Sequence, residues 1–151
     1  MSRVNVFLAG IIQGSLVQAD IHHQNWRDPI KASLAAHLPE ADVYCHYSQH
    51  PTSITYDLPK IREVFAEGNR LAGECELLIA YIPEASMGTG IEMHEAYKHG
   101  AAIVAITPMN ANWVVRAYSD CIVPDIAAFD VLAASGELTQ LVAQRRGASH
   151  G

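Results

Sequence analysis

Short apolar runs alternate along the chain with stretches whose apolar residues recur every third or fourth position, the periodicities of strand and helix. Residues 4–9 predict a first strand, opening into the loop Gly10-Ile11-Ile12-Gln13-Gly14-Ser15. Ile30, Leu34 and Leu38 then recur at helical spacing over 29–37, with Asp28 as cap and Pro29 in the first turn. Residues 41–47, rich in aromatics and β-formers, predict a second strand. The polar stretch 46–56 reads as a loop of about ten residues, a length that often carries function. A helix over 59–72 presents Ile61, Val64, Phe65, Gly68 and Leu71 on one face. The third strand, 76–82, leads through a glycine-rich turn into a helix ending near His99, and 101–107 supplies the fourth strand. Residues 110–118 predict a short helix or loop, Cys121–Val123 a small fifth strand, and 126–144 a helix that Gly136 interrupts. The tail 147–151 is expected to fray.

Strand–helix alternation repeated in this way predicts a parallel sheet covered on both faces. The fold class that follows is α/β: a doubly wound, flavodoxin- or Rossmann-like three-layer sandwich with a five-stranded parallel sheet. One domain over 1–146, followed by a flexible tail at 147–151, accounts for the 151 residues. Sheets of this kind bind ligands beyond the carboxyl ends of their strands. That rule gathers the loop at 10–15, the loop at 46–57 and the turn at 86–90 into one crevice.

Composition narrows the function classes. Half the residues are apolar and 17% are charged, which describes a packed domain. The formal net charge of −6, with basic residues scattered, argues against a nucleic-acid partner. No apolar run approaches the ~18 residues of a membrane-spanning helix, and the start carries no cleavage pattern. The three cysteines, Cys45, Cys75 and Cys121, lie far apart in or beside apolar runs, as expected of buried thiols in a reducing cytoplasm.

The chemistry concentrates in one segment. The apolar run 77–82 is followed by Pro83 and then by Ser86-Met87-Gly88-Thr89-Gly90-Ile91-Glu92. A strand–turn–helix of this kind leaves amides of the helix start unpaired, and places Glu92 in the first helical turn beside an anion-friendly patch. Glu92 borders the stripe of Met93, Ala96, Tyr97 and Gly100, which predicts a carboxylate at the core edge facing the crevice. The alternative is a glutamate that only complements the helix dipole, with Gly88 and Gly90 only serving a tight turn. The small residues let a ligand approach the backbone, and Ser86 and Thr89 add hydroxyls. The segment is neither the dinucleotide GxGxxG nor a Walker loop, and no G-x-S-x-G elbow occurs. The eight histidines form no pattern with metal-ligand spacing, so neither metal nor cofactor is expected.

The pairing of Val-Asn-Val-Phe-Leu-Ala-Gly near the start with Ala-Tyr-Ile-Pro-Glu-Ala-Ser-Met-Gly-Thr-Gly-Ile-Glu resembles the nucleoside 2-deoxyribosyltransferase superfamily. Its relatives include 2′-deoxynucleoside 5′-phosphate N-hydrolases and pyrimidine-nucleotide N-ribosidases. The resemblance covers roughly residues 4–107. It implies cleavage of an N-glycosidic bond in a nucleoside or nucleoside 5′-monophosphate, by hydrolysis or base transfer, in a homo-oligomer (a dimer or higher). By the same resemblance Glu92 falls on the catalytic glutamate and Ser86 on a phosphate-binding serine, while Gly10, Gly14 and Ser15 belong to the loop lining sugar and phosphate. Three positions depart from the pattern: Phe7 replaces a tyrosine, Gln13 an arginine, and Gly68 an acid, with Glu67 and Asn69 beside it. Asp57, Asn69 and Asn112 are the candidates for contacting base or sugar, and Trp113 either stacks on a base or fills the core. Other readings are a cytokinin-type phosphoribohydrolase, a TIR-like NAD glycohydrolase, or a nucleotide-binding sensor with little turnover.

Overall fold

In the computed structural model, which describes residues 2–14, 21 and 23–149, the apolar runs become parallel strands. They are β1 (Val4–Gly10), β2 (Ala41–Cys45), β3 (Leu77–Tyr81), β4 (Ala102–Ile106) and β5 (Cys121–Val123). The sheet is ordered β2-β1-β3-β4-β5 and every pairing is parallel. The described helices are α1 (Arg27–His37), α2 (His46–Gln49), α3 (Leu58–Glu74), α4 (Met87–Lys98), α5 (Trp113–Tyr118), α6 (Ile126–Ala134) and α7 (Glu137–Ser149).

Strand alternation divides the core in two. Val6 and Leu8 of β1 pack with Ile30 and Leu34 of α1, Phe129 of α6 and Val142 of α7. Phe7 and Ala9, pointing the other way, pack with Ala72 of α3, Met93 and Ala96 of α4, and Val115 of α5. The sheet therefore lies between two helical layers, as expected of a three-layer sandwich. Leu77, Leu78, Ile79 and Ala80 of β3 are fully buried, which is why that strand reads as an unbroken apolar run. The order in which strands are added reverses between β1 and β3, so their carboxyl ends open a crevice.

Several elements differ from the sequence reading. Strand β2 stops at Cys45, and the expected irregular loop contains α2 and a 3-10 turn at Ser53–Thr55. Helix α1 starts at Arg27, so Asp28 and Pro29 lie inside its first turn and Trp26 takes the cap position. Helix α4 starts at Met87 with Ser86 as its cap, which makes Gly88, Thr89 and Gly90 helical and sets Glu92 in the second turn. On α4 the buried stripe is Thr89, Met93 and Ala96, whereas Tyr97 and Gly100 are exposed. Gly136, at φ +85°, breaks the last helical region, and α7 runs from there to Ser149. No single helix among the described residues is long and apolar enough to cross a membrane.

Candidate functional site

Beyond the ends of β1 and β3 lies a cavity of about 420 Å³. Gly10, Ile12, Gln13 and Gly14 form one wall, and His46, Ser53 and Ile54 form the rim beyond β2. Helix α3 turns Ile61, Val64, Phe65, Gly68 and Asn69 toward it. Helix α4 closes the remaining side with Ser86, Met87, Gly88, Thr89 and Glu92. The segments at 10–14, 46–54 and 86–92 thus meet in one crevice.

Glu92 lies one turn into α4, beside the buried Thr89 and Met93, and keeps only partial access to solvent. Burial pushes its carboxyl up to about 8, against the opposing pull of Arg27. Ser86 caps the helix: its Oγ lies 2.8 Å from Thr89 Oγ1 and accepts from the Thr89 amide at 3.4 Å. The amides of Met87 and Gly88 occupy first-turn positions, where no partner exists within the helix.

Arg27 enters the same cavity from α1, on the other face of the sheet, although it is only 3% exposed. Its Nε donates to Gln24 Oε1 and its Nη1 to Cys45 Sγ, both at 3.1 Å, and its guanidinium lies 4.0 Å from the centre of the Trp26 ring. Burial lowers its affinity for the proton, while Cys45 and then Glu92 raise it. Near the rim, His46 is held below the usual histidine range by burial, then by His50 and Arg27. The two histidine rings are 5.1 Å apart, and His50 Nδ1 is 3.0 Å from the Tyr56 hydroxyl.

Of the residues singled out by sequence, Glu92, Gly10, Gln13, Gly14, Asn69, Ser86, Gly88 and Thr89 line this cavity. Phe7 does not: it is buried in the core, in a tilted contact with Tyr44 at 5.2 Å. Asp57 is exposed and caps α3, accepting from the Lys60 amide at 3.1 Å, so its carboxylate is used by the helix. Asn112 caps α5 and lines a neighbouring cavity of about 530 Å³ instead. Trp113 is neither in the core nor in the cavity, being 86% exposed. Ser15 lies outside the described residues.

Sequence reasoning missed Arg27 and His46. The signal for Arg27 was present: Arg27, Ile30 and Leu34 share the i, i+3, i+7 stripe of α1, and a charge on a buried stripe is unusual. His46 directly follows β2, at the strand end where ligands bind.

No protein-family model matches the sequence, and no curated protein matches it. Solved structures do. A 2-deoxyribosyltransferase from Bacillus psychrosaccharolyticus superposes with a TM-score of 0.59 at 12% identity, over 83% of this chain and 90% of its own. The chain shares the three-layer α/β fold of that enzyme. A conserved protein from Enterococcus faecalis V583 shares it, with a TM-score of 0.57, 15% identity and coverage of 95% and 99%. A Clostridium botulinum CMP N-glycosidase matches less closely, with a TM-score of 0.49 at 17% identity over 83% and 94%. In this chain, the loop after β1 and the start of α4 border one cavity.

Proposed function

We propose that this chain cleaves the N-glycosidic bond of a nucleoside or nucleoside 5′-monophosphate, with the Glu92 carboxylate beneath C1′. The observation that carries the reading is one partly accessible, densely surrounded carboxylate on the wall of a nucleoside-sized cavity at the sheet's switch point. The shared fold and the motif resemblance support it. The C1′–N bond breaks and its electron pair leaves with the base, which takes a proton. Glu92 stabilises the positive charge left at C1′ or bonds to it. Water then adds to C1′ and gives up its proton, completing hydrolysis, or a second base adds and completes transfer. Ser86 and the first-turn amides of α4 serve the sugar or its phosphate, and Asn69 serves sugar or base.

The test is incubation with nucleosides, their 5′-monophosphates and NAD, followed by chromatography for free base. Free base is expected with wild type and absent with Glu92→Ala, and base exchange after adding a second base would identify transfer. Because the reaction needs the ionised carboxylate, kcat/KM is expected to rise with pH and level off above about 8. A second reading, a nucleotide sensor, is favoured by the same raised value, since a protonated Glu92 binds without attacking. Tight binding with no free base even above that pH would replace the enzyme reading with the sensor.

A further inference from the structure

Arg27 is buried, yet it borders the cavity, and among the described residues no carboxylate lies within ion-pairing distance of it. A buried guanidinium is ordinarily matched by an acid, because an unmatched charge out of water is costly. Here its contacts are the Gln24 amide oxygen, the Cys45 sulfur and the faces of Trp26 and Tyr47. Those bonds use two of five N–H donors and clamp the plane of the group. Nη2 has no hydrogen-bond partner among the described residues and is not among the sealed, unsatisfied side-chain atoms, which are Trp26 Nε1 and Ser119 Oγ. Glu92, the one acid lining the cavity among the described residues, is pushed up to about 8 by burial.

We propose that Arg27 is a specificity-determining residue: its free donors bind a phosphate of the ligand, so the site selects phosphorylated over unphosphorylated nucleosides. The inference rests on the reading above in one respect, that the ligand is nucleoside-like. Phosphate is the anionic group such a ligand carries, and a planar guanidinium matches its oxygens in pairs. Among the described residues lining the cavity, Arg27 is the one lysine or arginine, and α1 brings it there.

The test is calorimetric binding of nucleosides and their 5′-monophosphates to Glu92→Gln protein, which separates binding from turnover. Monophosphates are expected to bind at least about tenfold more tightly than the matching nucleosides, with inorganic phosphate competing. Adding Arg27→Met should bring that ratio near one while leaving nucleoside affinity unchanged, and Arg27→Lys should restore part of it. Equal affinity for both ligand classes in the arginine-containing protein would overturn the proposal, whatever the fold of the variants. A preference that survives Arg27→Met would also overturn it. Absence of free base in wild-type incubations would refute the glycosidic reading and leave the phosphate preference to stand or fall on these affinities.

Discussion

Glu92 is a carboxylate in surroundings that resist charge, and its proton links stability to activity. Its folded value of about 8 exceeds the ordinary 4.5, so between those limits the folded protein holds a proton that the unfolded chain has lost. The stability from that proton is complete below pH 4.5 and is lost as pH rises through about 8. Glu92→Gln, neutral throughout, escapes the loss. Thermal melts should show the variant level with wild type near pH 4.5 and clearly more stable above about pH 8.5. A gap that ignores pH would mean Glu92 ionises normally. Activity and stability are thus expected to move in opposite directions over one titration. Glu92 and Ser86 were legible in sequence because a local motif carries both. For Arg27 the sequence carried only a charge on the buried stripe of α1, and that the stripe reaches the cavity is set by how the layers pack.

Helix α3 shows how an element shapes the cavity. Gly68 lies in its interior, borders the cavity, and has nothing within 4 Å of where a Cβ would stand. A glycine costs an interior helix position conformational entropy, and here no close approach requires it. Gly68→Ala is therefore expected to stabilise the protein by ~0.5–1 kcal/mol, read as a higher urea midpoint at unchanged slope. A loss of stability would reveal packing that the structure does not contain. The face written as Ile61, Val64, Phe65, Gly68 and Leu71 is real, but its middle covers a cavity: Val64 is buried, whereas Ile61 and Phe65 remain 46% and 45% exposed. Periodicity marks a face, and only the neighbouring helix decides whether that face meets core or ligand. Asp57 and Asn112 show the same limit, since a capping carboxylate or amide looks in sequence like one free to bind a ligand.

At the scale of the molecule, the end of the sheet away from the cavity is held by the last helix. Arg146 of α7 donates to Glu76 Oε2 at 2.5 Å, Ser2 Oγ at 3.2 Å and the Arg3 carbonyl at 3.0 Å. Glu76 also accepts from the Asn5 amide at 3.2 Å. The hydrogen bond to Arg146 holds the Glu76 carboxyl below the usual range, so its stabilisation is present above the ordinary value and lost as pH falls through the lowered one. Deleting residues 145–151 is expected to lower Tm while leaving ligand affinity unchanged, because the strap and the cavity lie at opposite ends of the strands. An affinity loss matching the Tm loss would contradict that separation. The sequence by itself determined the five strands, the longer helices, the layered α/β architecture and the segments that border the crevice, since each follows from local periodicity and turn chemistry. Only the tertiary structure decided which polar groups the helices consume as caps, and that Arg27 and His46 enter the cavity. Those outcomes depend on contacts between segments distant in the chain, where burial and charge are set by whatever packs alongside.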